Sequence, residues 1–202
     1  YSPGEVTPQG FHYVLTIVDL CTRWLMFVPL KTKYPVEIIA TLCNSWFYTH
    51  GLPTFILSDR GKEFLGVMST VCEVLGIKHI RTTPYHPQSN GLCEVQHKVL
   101  TYELRIRSDR PSAPLWPNLL PEIAFAHNVT PSPTLGNQSP FQMVFGRKPR
   151  LSPKDVCFPH SHSPSSLKAS EHARFIKQLE DSLRGIRFEA IDASIAEKQK
   201  RR

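Results

Sequence analysis

The fold is decided by a short apolar run that ends at an acidic residue and a glycine, in the stretch Phe55-Ile56-Leu57-Ser58-Asp59-Arg60-Gly61. An apolar run of this length between turn signals is typical of a buried strand. In α/β folds, side chains that face a ligand often follow directly on such a strand. Asp59 is therefore the first candidate for chemistry, with a plain role as a turn or N-cap residue as the alternative.

Upstream of this strand, the sequence predicts a hairpin and a helix. Residues 11–19 and 24–30 are rich in β-branched and aromatic side chains, and a short polar break separates them, which favours two antiparallel strands. Pro35 then precedes apolar residues at helical spacing, and Gly51 follows the last of them. This pattern predicts a helix between these two residues.

Downstream, a helix and a further strand are predicted. The helix runs from about Val67 to Leu75, and Gly76 is placed to close it. Residues 77–80 give the further short strand. The order of hairpin, helix, strand, helix and strand predicts an α/β fold in which helices flank a mixed sheet.

Two more helices follow a polar loop over residues 82–91. The second of them spans residues 115–127, around Trp116, Leu119, Leu120, Ile123 and Phe125. The first is longer and starts near Gly91, and its predicted apolar side carries Leu92, Val95, Val99, Leu100 and Leu104.

The rest of the chain changes in composition. Residues 131–164 hold many of the 18 prolines and are predicted to be partly extended, whereas residues 166–202 are charged and helical in pattern, with an interruption at Gly185. We therefore expect a catalytic-core-like domain over residues 1–150, a connector over residues 151–165 and a charged helical extension over residues 166–202.

Composition narrows the possible classes of protein. The 202 residues are 41% hydrophobic and 20% charged, which argues against a disordered chain. Five scattered cysteines, no apolar run of membrane-spanning length and no secretory signal lead us to expect neither secretion nor a membrane partner. The net charge of +7 is compatible with a nucleic-acid partner, and solubility explains it equally well.

A second acidic candidate, Glu94, falls in the first turn of the long helix, where the helix dipole favours an ionised carboxylate. Asp59 and Glu94 could share a divalent cation, because Mg²⁺ and Mn²⁺ prefer hard oxygen ligands and two-metal phosphoryl transfer uses such carboxylates. The simpler alternative for Glu94 is an exposed ion pair with Lys98, four residues further along the same helix.

Three longer strings carry a resemblance to a known family. They are residues 57–64 (Leu-Ser-Asp-Arg-Gly-Lys-Glu-Phe), residues 76–91 (Gly-Ile-Lys-His-Ile-Arg-Thr-Thr-Pro-Tyr-His-Pro-Gln-Ser-Asn-Gly) and residues 139–149 (Ser-Pro-Phe-Gln-Met-Val-Phe-Gly-Arg-Lys-Pro). With Glu94, these strings closely resemble the catalytic core of integrases from gypsy-class retrotransposons and retroviruses.

The resemblance implies a ribonuclease-H-like fold and an Asp, Asp, Glu triad that binds Mg²⁺ or Mn²⁺. On this match Asp59 is the second acid and Glu94 the third. Such enzymes process the 3′ ends of the element DNA and join them to target DNA, so DNA is the expected partner and a homo-oligomer the expected assembly. A nuclear location follows, with the cytoplasm as the alternative.

The chain also departs from the family pattern. The first catalytic Asp of the family lies in an Asp-x-x-Gly-Pro motif, which here is expected just ahead of Tyr1. Asp19 matches a non-catalytic Asp and is expected to stabilise the hairpin turn with Arg23. Thirty-four residues separate Asp59 from Glu94, one fewer than is usual, and Val95 and His97 replace the usual Arg and Asn.

Four residues are expected to contact nucleic acid. Lys98 lies on the same helix face as Glu94 and could bind a phosphate, although a solvated lysine is equally possible. Tyr85 and His86 precede the long helix and are either DNA-facing groups or loop anchors. Arg60, beside Asp59, completes the set.

The predicted function is therefore DNA integration by a retrotransposon-derived integrase core. Because two carboxylates leave one metal ion under-coordinated, we expect the chain by itself to be inactive or nearly so. The alternative is a decayed or domesticated integrase-like module that binds DNA or protein without catalysis.

Overall fold

The structure is a computed structural model that describes residues 1–4, 6–64, 66–82, 91–108 and 115–151, and four positions beyond them. Of residues 63 and 108 it describes the backbone alone. The chain divides into two compact units. The first is Tyr1–Val18 with Met26–Ala124, and the second is Asp19–Leu25 with Phe125–Arg202.

The predicted hairpin is confirmed. Strand β1 spans Tyr13–Val18 and pairs with strand β2, Leu25–Leu30. The N–H of His12 donates to the carbonyl of Leu30 at 3.0 Å, and the N–H of Asp19 donates to the carbonyl of Trp24 at 2.9 Å. The residue before β1 thus meets the last residue of β2, and the residue after β1 meets the residue before β2, so the two strands are antiparallel.

Asp19 stabilises the hairpin turn, as predicted: its carbonyl binds Arg23 and its carboxylate binds Thr22. Its Oδ2 accepts hydrogen bonds from the backbone N–H of Thr22 at 3.0 Å and from the Thr22 hydroxyl at 2.6 Å. Arg23 has a φ of 62° and donates its backbone N–H to the Asp19 carbonyl at 2.8 Å. Thr22 therefore binds the Asp19 carboxylate, and Arg23 contributes to the turn through its backbone N–H.

The helix predicted between Pro35 and Gly51 is present, but its middle is wider than an α-helix. Helix α1 spans Pro35–Leu42, a π-helical segment follows over Cys43–Phe47, and α2 spans Tyr48–His50. Pro35 takes the first helical position, where a missing N–H does no harm. Gly51 ends the helix with a φ of 83°.

A strand, helix and strand come next. Strand β3 covers Phe55–Ser58, helix α3 covers Val67–Val74 and strand β4 covers Lys78–Arg81. A short 3-10 turn, Lys62–Phe64, lies between β3 and α3. Strands β3 and β4 are parallel, and Ile56 is the register partner of His79.

The predicted mixed sheet is present only as two separate pairs in the described part of the chain. One pair is the antiparallel hairpin, and the other is the parallel pair β3 and β4. The other edge of β1 is occupied by Tyr1, whose ammonium donates to the Val14 carbonyl at 3.3 Å and whose carbonyl accepts the Val14 N–H at 2.8 Å. A single residue in this position extends the hairpin but does not join it to β3.

The core of the first unit lies between the hairpin and the helices α1 and α3. Apolar side chains from each of them are buried together because each element has one apolar face. The buried members of this cluster are Leu15, Leu30, Ile38, Leu42, Met68, Cys72 and Ile77.

The buried side of helix α4, Gly91–Ser108, differs from the prediction. Leu100 is fully buried, as expected, but Val95 and Val99 are 53% and 42% exposed. The buried stripe instead repeats every four residues from Gln96 through Leu100 to Leu104. An α-helix turns by about 100° per residue, so positions one residue earlier point away from this stripe.

Helix α5, Trp116–Val129, confirms the last predicted helix and contains Pro121. Phe125 was expected on its apolar side but is 48% exposed. The apolar side chains that are buried on this helix are Trp116, Leu119, Leu120, Ile123 and Ala124.

The second unit corrects the prediction of an extended connector from residue 131 onward. A 3-10 turn forms over Pro133–Leu135, and helix α6 spans Pro140–Phe145. Helix α6 begins with a capping box, because Ser139 accepts from the Gln142 N–H while the Gln142 side chain accepts from Ser139. Proline at the first helical position favours this start.

Asn128 also belongs to the second unit and is 3% exposed. Its Oδ1 accepts the N–H of Leu25 and its Nδ2 donates to the Leu25 carbonyl, both at 2.8 Å. The ring of Trp24 packs edge-on against Phe145, with 5.5 Å between ring centroids. The Asn128 amide and the contact between the rings of Trp24 and Phe145 thus connect separate segments of the second unit.

Most of the predicted connector over 151–165 and of the charged helix over 166–202 lies outside the described residues. Four positions in that helix, Asp181, Arg184, Gly185 and Asp192, have helical backbone, so the expected interruption is absent at Gly185 itself. Within the described ranges, no helix combines the length and apolar character needed to cross a membrane.

Candidate carboxylate site

Asp59 follows β3 directly, and its carboxylate is held by the loop that it starts. Oδ1 accepts the backbone N–H of Gly61 at 2.9 Å, which fixes the side chain in a local turn. Asp59 is exposed, and Oδ2 accepts no hydrogen bond from the described residues. Asp59 can therefore stabilise the turn through Oδ1 and at the same time bind a cation through Oδ2.

Glu94 lies in the first turn of α4 and is also exposed. The ion pair with Lys98 that the sequence offered as an alternative does not form, since the salt bridges between described residues link Arg107 to Glu103 and to Glu122. Glu94 is thus available to a cation.

Asp59 and Glu94 act on the same two side chains of α4. Burial raises the pKa of the Cys93 thiol, and the charges of Asp59 and Glu94 raise that pKa further. Both carboxylates also favour the protonated form of His97. Both acids therefore act electrostatically on side chains in the first two turns of α4.

His97 links this site to the hairpin. Its Nε2 lies 3.0 Å from the Thr16 hydroxyl on β1, and its ring stacks on that of Tyr1 with 5.5 Å between centroids. Burial and then the N-terminal ammonium lower the pKa of His97, and together they outweigh Asp59 and Glu94. The residue that departs from the family pattern is therefore a neutral contact between α4 and β1 at neutral pH.

A partly buried chain of hydrogen bonds supports the end of β3, directly before Asp59. The His79 ring lies between two hydroxyls, with Nε2 2.9 Å from Ser58 Oγ and Nδ1 3.0 Å from Ser69 Oγ. The Ser58 hydroxyl also donates to the Asp59 carbonyl at 3.0 Å. Burial, and next the charge of Arg81, lower the pKa of His79. A neutral imidazole thus connects β4 and α3 to the residue before Asp59.

Sequence reasoning missed Ser58, Ser69 and His79 as members of this site. The available signal was polar residues within short strands: Ser58 ends β3 and His79 lies in β4. Ile56 is the register partner of His79, and residues two apart in a strand share a face, so Ser58 lies on the same face as His79.

The predicted DNA contacts are only partly described. Arg60 is exposed, and its Nε donates to the Thr82 carbonyl at 3.0 Å, which joins the loop after Asp59 to the end of β4. Lys98 is exposed on α4. Tyr85 and His86 lie outside the described residues. All four stay predictions as nucleic-acid contacts.

The two carboxylates are the type of ligand that a hard divalent cation prefers, but they are too few to hold it alone. Mg²⁺ and Mn²⁺ prefer oxygen ligands such as the two carboxylates, and Mg²⁺ retains several waters. Among the described residues, however, no three His, Cys, Asp or Glu side chains gather closely enough to hold a metal ion. Asp59 and Glu94 would hold such an ion, with the remaining ligands supplied from elsewhere.

The chain has a ribonuclease-H-like α/β fold, in which helices flank the two pairs of strands. Residues 3–87 match the family described as integrase core domain. An intasome structure from simian T-cell lymphotropic virus, in complex with the PP2A regulatory subunit B56 gamma, aligns over 77% of this chain and 58% of that chain, with a TM-score of 0.55 and 23% identity.

Curated relatives agree with this match. The Pol polyprotein from transposon 412 of Drosophila melanogaster is 28% identical over 165 residues, 80% of this chain. Gypsy retrotransposon integrase-like protein 1 of Bos taurus is 30% identical over 150 residues, 74% of this chain. The chain spans 13% of the polyprotein and 29% of the bovine protein. It belongs to the integrase core family of retrotransposons and retroviruses.

Proposed function

We propose that this chain is the catalytic core of a retroelement-derived integrase, in which Asp59 and Glu94 bind Mg²⁺ or Mn²⁺ and act in DNA integration. One observation carries the proposal: the two carboxylates are remote in sequence, yet both act on Cys93 and His97 at the start of α4. Both are exposed, so a cation and a phosphodiester can reach them.

The proposed reaction has two steps. In the first, water attacks a phosphodiester near the 3′ end of the element DNA and releases a short fragment, leaving a free 3′ hydroxyl. In the second, that hydroxyl attacks a target phosphodiester and displaces the 3′ oxygen of the target strand. Bound divalent ions would activate the attacking oxygen and neutralise charge on the leaving oxygen. Asp59 and Glu94 would fix these ions on two rigid elements.

A third carboxylate is proposed to come from a residue ahead of Tyr1 in the intact parent. Tyr1 exchanges two backbone hydrogen bonds with Val14, and its ring stacks on that of His97, on which Asp59 and Glu94 act electrostatically. An acidic residue joined to Tyr1 would therefore enter beside the carboxylate pair. Without it, we expect this chain to show little or no strand transfer.

A module without catalysis is the second candidate. The described residues contain no group of three metal-ligating side chains, which favours a domesticated protein that keeps the fold for binding DNA or another protein. DNA as partner, a homo-oligomeric assembly and a nuclear location are part of the proposal for either candidate.

A metal-binding experiment tests whether Asp59 and Glu94 hold a divalent ion. Titration with Mn²⁺ should broaden the NMR signals of residues next to Asp59 and Glu94, because the ion is paramagnetic. Asp59→Asn and Glu94→Gln should each remove this broadening, while Glu73→Gln, an exposed acid on α3, should leave it unchanged. Equal broadening in wild type and Asp59→Asn would contradict the site.

Catalysis is tested on a chain extended by the natural residues that precede Tyr1 in the parent. If they include the third acid, Mg²⁺-dependent joining of an oligonucleotide end to target DNA should appear and should be abolished by Asp59→Asn or Glu94→Gln. An extended chain that carries the acid, binds Mn²⁺ and joins no DNA would favour the non-catalytic module.

A further inference from the structure

A basic pocket opens in the first unit, where β1 begins and β2 ends. Its volume is about 450 Å³, within the range of small-molecule sites. None of the residues that the sequence assigned to DNA binding lines it. The residues that define this basic pocket are His12, Tyr13, Lys31, Lys33, Tyr34 and Lys62.

None of the three ammonium groups of the pocket forms a salt bridge in the described part of the chain, and only that of Lys31 acts electrostatically on an acid, Glu37. Lys31, Lys33 and Lys62 are exposed, and none of them belongs to a salt bridge there. Glu37 approaches the same loop, but its two carboxylate oxygens accept the backbone N–H groups of Lys31 and Thr32 at 2.8 and 2.9 Å. The pocket therefore presents a concentrated positive charge to solvent.

Aromatic rings hold two of these lysines in place. The Lys33 ammonium lies 4.8 Å from the ring centroid of Tyr13, and the Lys31 ammonium lies 5.7 Å from that of Phe11. His12 stacks on Tyr13 with 4.5 Å between centroids and 6° between planes. Cation–π contacts of this kind restrict flexible lysine side chains, so the positive charges face the same cavity.

Tyr34 adds an open aromatic surface. It precedes α1 as its N-cap residue and is 71% exposed. An aromatic ring beside several cations is the combination by which proteins bind single-stranded nucleic acid, with bases stacked on the rings and phosphates on the cations. An acidic peptide would satisfy the lysines but would offer no planar base to Tyr34.

We propose that the basic pocket binds a nucleotide of a single DNA strand, with its phosphate on Lys31, Lys33 and Lys62 and its base on Tyr34. The proposal rests on DNA being the partner, as proposed above, and adds a site for it. Lys62 lies in the turn that follows Asp59, only three residues further along the chain. A strand held in the pocket would therefore be anchored next to the loop that carries the carboxylate.

The test is fluorescence anisotropy of a labelled oligothymidine, about twelve nucleotides long, titrated with the 202-residue chain at about 0.1 M salt. Binding should weaken in each of the variants Lys31→Gln, Lys33→Gln and Lys62→Gln. The plot of log affinity against log salt should also become less steep, by about 0.7 per lost phosphate contact. Lys78→Gln removes an exposed lysine of β4 and should change neither quantity.

Two variants of Tyr34 test whether a base stacks on its ring. Tyr34→Ala should weaken binding by about fivefold or more, whereas Tyr34→Phe keeps the ring face and should bind as wild type does. The proposal is overturned if the pocket variants bind as tightly as Lys78→Gln, if Tyr34→Ala has no effect, or if oligoglutamate competes as well as unlabelled oligothymidine.

Failure of this site and failure of the metal site can be told apart. Asp59→Asn should lose Mn²⁺ binding and keep oligothymidine binding, while the three lysine variants should show the reverse. Circular dichroism of each variant checks that the fold is intact.

Discussion

The His79 Nε2 atom lies 2.9 Å from Oγ of Ser58, the residue directly before Asp59. The Ser58 hydroxyl has one proton and donates it to the Asp59 carbonyl, so it must accept from His79. Nδ1 of His79 then accepts from the Ser69 hydroxyl. The whole chain of hydrogen bonds is satisfied by one neutral tautomer, with the proton on Nε2.

The first prediction concerns this tautomer and its contribution to stability. Nitrogen-15 shifts should show His79 neutral at pH 7 with the proton on Nε2. Replacement by Phe keeps the ring shape but removes both hydrogen bonds, and we expect a loss of about 1 to 3 kcal/mol in the free energy of unfolding. A proton on Nδ1, or a variant as stable as the wild type, would show that the chain of bonds is not formed.

The second prediction concerns pH. Burial is the main cause of the lowered pKa of His79, His97 and His127, each of which is therefore held neutral in the folded state. The unfolded chain, with histidine pKa values near about 6.5, binds more protons as the pH falls. Stability should be fully present above about pH 6.5 and should decline as the pH falls towards the lowered folded values.

Urea unfolding at a series of pH values between about 7.5 and 5 measures this decline. His127→Gln should make the dependence shallower, because the amide can still donate to the Arg23 carbonyl that His127 Nε2 contacts at 3.2 Å but does not titrate. A dependence equally steep in this variant would exclude His127 as a contributor.

The third prediction concerns Asn128, whose amide satisfies both backbone groups of Leu25 in a buried position. Asn128→Ala should lower the free energy of unfolding by about 2 to 4 kcal/mol, because a buried N–H and a buried C=O lose their partners. Asn118→Ala, at an exposed position of the same helix, should change it by less than about 0.5 kcal/mol. Similar losses in both variants would contradict this role.

The fourth prediction separates two neighbouring apolar residues of α4. Leu100 is fully buried and Val99 is 42% exposed. Leu100→Ala should cost about 2 to 5 kcal/mol of stability, since it leaves a cavity. Val99→Ala should stay within about 0.5 kcal/mol, as is usual for surface positions. Denaturant unfolding of both variants checks the assignment of the buried face, which a reversed order of losses would refute.

Most elements of the fold were predictable from apolar periodicity and from glycine and proline positions. Pro35 and Gly51 mark the ends of the first helix, and Gly76, with a φ of 68°, follows α3 as expected. The face of α4 was not predictable, because apolar residues occupy adjacent positions such as Val99 and Leu100. Composition alone does not tell which of two neighbours is buried.

The same limit applies to the site. Asp59 and Glu94 were found because each stands at the end of an element, where side chains meet ligands. The basic pocket and the serines around His79 were missed, because their members come from separate segments and have no common spacing. The pairing of the strands and the packing of α3, of the 3-10 turn at Lys62 and of the start of α1 bring these side chains together.

The π-helical segment Cys43–Phe47 gives the first helix a tolerance for changes in chain length. Ile38 and Leu42 are four residues apart, but Phe47, which packs against the same cluster, follows after five. An α-helix would turn the fifth residue about 100° too far, and the wider turn absorbs the difference. A one-residue deletion here should yield a regular helix with the same side chains inward, so an alignment gap at this point would mark a change of helical winding and not a missing loop.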